Sequence, residues 1–164
     1  MELWDVYDQC FRKTGRVHER GKELARGDYH LVVHIYPVND KKEILIQKRS
    51  DTVAWKPGSW AATGGSAIKG EDMYEACIRE LNEEVGILAE EKNMELFAVF
   101  KRESSYNGVW IVRSNVTISE LTLQEEEVSD AKWATSSEIK EMVANGEFHS
   151  YPYLDSLLDY IDEK

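Results

Sequence analysis

Residues 30–38 read HLVVHIYPV and residues 43–49 read EILIQKR, two largely apolar runs separated by the polar Asn39-Asp40-Lys41-Lys42. That pattern predicts neighbouring strands joined by a turn. Pro37 lacks a backbone N–H and favours an edge or a strand end. LWDVYD and TGRVHER near the start are shorter strand candidates, joined by a turn and followed by a Gly-containing connection from Gly21 to Gly27. MELFAVFKRE, GVWIVRSNVTI and VSDAKWA extend the strand set. The period becomes helical over about residues 71–85, after a Gly-rich passage. It does so again beyond Thr135, whose spacing to Glu138 is that of a capping box ahead of IKEMVANG, ending at Gly146. The terminal stretch places Leu154, Leu157, Leu158 and Ile161 on one stripe, as expected of a helix packed on a sheet. Strands interspersed with few helices predict an α/β fold with a mixed sheet covered by helices, not regular βαβ repetition. Without repeats, low-complexity runs or a Pro-rich linker, residues 1–164 are expected to form a single domain.

Charge narrows the partners. Lys plus Arg number 20 against 31 Asp plus Glu, a net charge of −11, which argues against duplex nucleic acid and anionic membrane surfaces. Phosphorylated ligands stay open, because a bound divalent cation reverses the local sign of an acidic site. The N-terminal MELWDVYDQC lacks the features of a signal peptide, and no stretch approaches the roughly 18 apolar residues of a membrane helix, so a soluble, cytoplasmic chain is expected. Cys10 and Cys77 are too far apart to suggest a close-spaced metal pair, and Cys77, inside a helical pattern, is expected as a buried thiol.

The densest chemical signal is GSAIKGEDMYEACIRELNEEVGI, residues 65–87. At about 100 degrees per residue, Glu83 and Glu84 lie roughly 60 and 40 degrees to either side of Glu80, so three carboxylates share one helical face. Tyr74, Ile78, Leu81 and Val85 occupy a different arc, suited to burial against a sheet. Like charges at these spacings cost a few tenths of a kcal/mol per pair, a balance that a cation reverses. Oxygen donors without thiolates or clustered imidazoles suit Mg²⁺, with Mn²⁺ as a substitute, over structural zinc. Arg79 stands beside Glu83 and could orient or neutralise a carboxylate. Gly86 suits a left-handed helix terminator, and Gly64 and Gly65 let backbone carbonyls approach a metal. A charged stripe is most often plain solvated surface; this spacing is more demanding.

Gly65, five residues, Glu71, seven residues, Arg79-Glu80-Leu81, one residue, Glu83-Glu84, one residue, Gly86-Ile87 resembles the signature of the Nudix hydrolases without departure at its defining positions. The resemblance implies an α/β/α sandwich around a mixed sheet. It also implies a loop-helix-loop unit that binds metal and a small-molecule diphosphate. Glu80, Glu83 and Glu84 would be metal ligands, with the Gly65 carbonyl as a further one. Glu71 would be the outer supporting carboxylate and Arg79 its structural partner.

Upstream, LWDVYD, TGRVHERG, GDYHLVVHIY, EILIQKRS and WKPGSW resemble the branch that includes type I isopentenyl-diphosphate isomerase and its hydrolase-like relatives. The isomerase supplies a loop Cys and a later acidic residue. This chain has Gly64-Gly65-Ser66 at the first place and lacks acids around Tyr106-Asn107-Gly108, taken to precede the strand VWIV. His30 matches an isomerase metal-binding histidine, although an ordinary strand-end histidine fits equally. His34 faces the same side two strand periods on and could line the cleft, whereas His18 and His149 belong to no constellation. Metal-dependent hydrolysis of a nucleoside diphosphate derivative is therefore the leading expectation. An isopentenyl-diphosphate isomerase and a non-catalytic phosphometabolite-sensing domain are the alternatives, and homodimerisation is left open. Lys48 and Arg49, at a strand end, are candidates for the far phosphate. Glu127 is favoured over Glu125 and Glu126 as general base, against a solvated loop as the plain alternative. Trp55, Trp60, Tyr106 and Trp110 are candidates for a flat ligand surface, Trp60 first among them.

Overall fold

The computed structural model describes residues 1–164. Nine strands and three α-helices follow one another: β1 (Leu3–Tyr7), β2 (Lys13–Glu19), β3 (His30–Val38), β4 (Ile44–Arg49), β5 (Trp60–Ala61), β6 (Thr63–Ser66), α1 (Met73–Val85), β7 (Met94–Lys101), β8 (Ser105–Arg113), β9 (Val128–Ala134), α2 (Ser136–Ala144) and α3 (Leu154–Glu163). β1 and β2 form an antiparallel hairpin; the other seven strands form one mixed sheet. Its centre is β3, parallel to β8 from His30↔Ser105 through Val38↔Arg113. On its other side β3 pairs antiparallel with β6 over Val32–Ile35, then with β4 at Val38. β4 in turn carries β9 and the short β5, and β7 flanks β8.

Alternation along the strands builds the three layers. Leu31, Val33 and Ile35 of β3, Leu45 of β4 and Trp110 and Val112 of β8 pack with Met73, Ala76, Cys77, Leu81 and Val85 of α1. The intervening Tyr36, Val38, Ile44, Ile46, Val109 and Ile111 pack with Ile139 and Met142 of α2 and the Leu154, Leu157, Leu158, Ile161 stripe of α3. A period of two in the sheet and 3.6 in the helices thus yields the mixed α/β sandwich.

Several expectations are corrected. The Gly-rich passage is a strand, β6, because its backbone completes the free side of β3. Strand β8 begins at Ser105, so Tyr106-Asn107-Gly108 lies within it rather than before it. Pro37 is not on an edge strand but stands at a strand end, the other expected place, next to the last residue of β3 and between the last β6 pairing at Ile35 and the β4 pairing at Val38. Tyr74 and Ile78 are only half-buried on α1, the apolar face being shared by Met73, Ala76 and Cys77. No helix is long and apolar enough to cross a membrane.

Candidate active site

Asp72 caps α1 by accepting from the Glu75 amide while Glu75 reaches back to the Asp72 amide, and Gly86 ends the helix in the left-handed region at φ 75°. Between these stops the three box glutamates face one cavity of about 510 Å³, whose floor is the β6–β3–β8 part of the sheet. They are not equivalent there. Glu84 is 4% exposed, the Glu80 side chain 13% and the Glu83 side chain 48%.

Glu84 is held by two donors, the Gln47 amide on Oε1 at 3.2 Å and the Gly64 backbone N–H on Oε2 at 3.2 Å. Gln47 is itself oriented by the Thr63 hydroxyl, which donates to its Oε1 at 2.8 Å. Burial pushes the Glu84 carboxyl up to about 8, reinforced by the Glu80 charge, with Gln47 and Gly64 opposing. Glu80 is raised to about 7 by burial, with Arg79 acting against the rise. Arg79 organises the rest. It forms a fork with Glu71 (Nε to Oε2 2.7 Å, Nη2 to Oε1 2.9 Å), donates to the Ser66 carbonyl at 3.1 Å, and reaches Glu80 at 3.0 Å and Glu83 at 3.1 Å. Glu71 also accepts from the Ile68 amide at 2.9 Å, which ties the loop to the helix.

The glycines have a geometric reason. A Cβ on Gly64 would overlap the Val33 carbonyl oxygen, and one on Gly65 would overlap the Glu80 carboxylate. A side chain is thereby excluded where the carboxylates approach β6. The donor set is all oxygen and suits a hard divalent cation, although the side chains, with Arg79 between Glu80 and Glu83, are not drawn together into a ligand cluster.

Glu127 and Arg49 line the same cavity. Arg49 donates from Nε to the Trp55 carbonyl at 2.6 Å and lies 4.9 Å from the Trp55 ring centre. Lys48 and Trp60 are not among the lining residues. Lys48 is adjacent to Arg49 on β4, and successive side chains leave a strand on opposite faces. Trp60 packs against the α2/α3 core under the Lys132 ammonium. Of the aromatic candidates Trp55 reaches the cavity, whereas Trp110 is buried against α1 beside Tyr74 and Tyr106 is buried against Phe11 and Tyr29, its hydroxyl donating to the Asp8 carbonyl. His30 is buried and stacks on Trp4 with ring centres 3.8 Å apart. His34 lines the cavity, and so does His149, which packs on Trp55 and Tyr151. His149 had no constellation in sequence because, Tyr151 apart, the residues that share the cavity with it lie far away along the chain. Arg20, Arg102 and Asn107 also join the lining without a local signal. Gln47 did carry one, as a lone polar residue in the apolar run ILIQ.

Comparisons with known proteins agree with this architecture. The sequence model of the NUDIX domain matches residues 28–156. An uncharacterized Nudix hydrolase of Listeria monocytogenes is 38% identical over 161 residues, covering 97% of this chain and 95% of the relative. Among solved structures, DR0079 from Deinococcus radiodurans superposes with a TM-score of 0.76 at 22% identity, covering 99% of this chain and 98% of the other. The NUDIX domain of Shewanella oneidensis NrtR, solved with ADP ribose, gives a TM-score of 0.63 at 16% identity over 89% and 92% of the two chains. With the domain match spanning most of the sequence and the Listeria relative aligned nearly end to end, the chain belongs to the Nudix hydrolase family.

Proposed function

We propose that this protein hydrolyses a diphosphate linkage in a small nucleoside diphosphate derivative, with Mg²⁺ or Mn²⁺ held by Glu80, Glu83, Glu84 and the Gly65 carbonyl. The observation that carries the proposal is the Glu84 site. A carboxylate held in a nearly closed pocket by Gln47 and Gly64, beside the partly buried carboxylate of Glu80, is poorly stabilised unless a cation joins it. A bound divalent ion would neutralise phosphoryl oxygens and lower the pKa of attacking water.

The chain's own groups divide the remaining work. Arg79 and Glu71 fix the loop and keep Glu80 and Glu83 on the cavity side of α1. Two carboxylates outside the helix line the cavity, Glu2 and Glu127. Glu2 is engaged by the Arg20 guanidinium and the Trp4 indole N–H, and Glu127, on the approach to β9, is assigned as the base accepting the proton of water. Arg49, with Trp55 against its guanidinium, is assigned to the distal phosphate. ADP ribose in the NrtR domain supports a nucleoside diphosphate sugar as the first substrate to try. The isomerase alternative is disfavoured by the backbone overlap that any side chain at position 64 would meet.

Release of phosphorylated products from a panel of nucleoside diphosphate sugars, dinucleotides and prenyl diphosphates, with Mg²⁺ and with EDTA, tests the reading by mass spectrometry. Metal-dependent cleavage is expected. Dimethylallyl diphosphate formed from isopentenyl diphosphate, or tight metal-dependent binding with no product, would refute it.

A further inference from the structure

His34 sits on β3 in register with Gly64 of β6, one strand from the backbone amide that holds Glu84. Its Nδ1 is 2.8 Å from the Tyr153 hydroxyl, and that hydroxyl is 2.7 Å from the Tyr36 hydroxyl. Tyr36 is completely buried and its hydroxyl has no other partner. The chain of hydroxyls therefore ends blind, and this sets its direction. If Tyr36 donates to Tyr153 and Tyr153 donates to Nδ1, every proton is used. If Nδ1 carries the proton and donates to Tyr153, one buried hydroxyl proton is left without an acceptor, which folded proteins avoid. The first arrangement requires the neutral ring to carry its proton on Nε2.

The other edge of the ring is free. The only enclosed side-chain polar atoms without partners are His30 Nδ1 and Trp110 Nε1, so the unpartnered Nε2 of His34 opens onto the cavity that the residue lines. Burial, with the Arg102 and His149 charges, lowers the His34 pKa to about 4, which keeps the ring neutral near pH 7.

We propose that the buried Tyr36–Tyr153 pair locks His34 as an Nε2–H donor that binds a phosphoryl oxygen of the diphosphate. This rests on the hydrolase reading and adds a substrate-contacting residue to it. The lock identifies the partner chemically. A hydroxyl could satisfy either tautomer of the ring, since it both donates and accepts, whereas an atom that only accepts is met by Nε2–H alone. Phosphoryl oxygens are such atoms, and the place one strand from the Glu84 pocket is where the diphosphate would lie. A neutral donor also stabilises them without adding a cation that would compete with metal binding.

Nitrogen-15 NMR of the full chain, with His34 assigned by comparison with His34→Gln, reads the tautomer directly. An Nε2–H ring at pH 7 is expected in the wild type, with a mixed tautomer population in Tyr153→Phe. The Nε2 resonance should move on adding inorganic diphosphate with Mg²⁺ and stay in place on adding uridine. In parallel, His34→Gln, whose amide nitrogen reaches the Nε2 position, should keep diphosphate affinity within about 3-fold, while His34→Asn, which reaches only the Nδ1 position, should lose at least about 10-fold. An Nδ1–H tautomer, a response to uridine alone, no response to diphosphate, or equal affinities of the Gln and Asn variants would each overturn the inference. Metal-dependent hydrolysis persisting beside any of these results would leave the hydrolase reading standing. The expected tautomer and diphosphate response, found in a protein that cleaves no diphosphate, would refute that reading alone.

Discussion

Replacing Glu84 by Gln should make the metal-free protein more stable, and increasingly so as pH rises. A carboxyl moved from 4.5 to about 8 carries a limiting penalty of about 5 kcal/mol at roughly 1.4 kcal/mol per unit. The Glu80 charge contributes to the rise at Glu84, so the two titrations are coupled, and the fold can hydrate a charge that it cannot neutralise. About 2 kcal/mol is therefore expected at pH 8. The direction follows from linkage. A carboxyl whose folded pKa lies above its unfolded one favours folding below the unfolded value, and that advantage is lost as pH climbs through the folded value, here between about 4.5 and 8. His30 and His34, both lowered to about 4 by burial, act oppositely, because their stabilisation is lost as pH falls. They are common to both proteins, so the difference isolates position 84. The amide is accommodated by one flip: Gln47 can present its oxygen to the new NH₂ group and its own NH₂ to the Thr63 hydroxyl, while the new carbonyl keeps the Gly64 amide. The Thr63 hydroxyl proton loses its acceptor, a cost that does not vary with pH and so leaves the pH slope intact. Urea unfolding in EDTA at intervals from pH 5 to 8 measures the effect. Near-equal stability at pH 5 should open to about 2 kcal/mol at pH 8, or about 4–8 °C in Tm. Mg²⁺ at about 100 times Kd should stabilise the wild type by up to roughly 2.7 kcal/mol, with little effect on the variant, whose turnover should fall at least about 100-fold. A stability difference that does not change with pH would refute the reasoning, since Glu84 would then be ionised and hydrated like a surface carboxylate.

Calorimetric metal titration should show weakened affinity in Glu80→Gln and near-wild-type affinity in Glu75→Gln, whose amide can still close the Asp72 capping box; equal affinity in wild type and Glu80→Gln would contradict the ligand assignment. Gly64→Ala should cost about 1–3 kcal/mol by urea unfolding and abolish turnover, because its Cβ meets the Val33 carbonyl rather than a movable side-chain tip. Glu127→Gln should lower kcat by about 10²-fold or more while leaving metal affinity near wild type, read by steady-state kinetics and calorimetry. Leu158→Ala, at a fully buried position of the α3 stripe, should destabilise by about 2–5 kcal/mol without changing metal affinity.

Local pattern determined a good part of this molecule. The period of α1, its Gly86 terminator, the shared face of Glu80, Glu83 and Glu84, and the α3 stripe are all written within one or two helical turns, and such short-range geometry survives folding unchanged. The Arg79 contacts with Glu80 and Glu83 belong to the same class. The sheet order decided the rest. His34 meets Tyr153 across 119 positions, Gln47 meets Glu84 across 37, and β3 takes β8 as its parallel neighbour from nearly half the chain away. No periodicity encodes such distances. Alternation could not say which of Lys48 and Arg49 would face the cavity until β4 had its neighbours, nor that Gly64 and Gly65 would act as strand residues against β3. The depth at which each glutamate sits came from tertiary packing too. Helical spacing aligned three carboxylates, but only the closure of β6, Gln47 and Thr63 around one of them made Glu84 a buried charge while Glu83 remained half in water, because burial is a property of the neighbours that a side chain acquires, not of its place in the sequence.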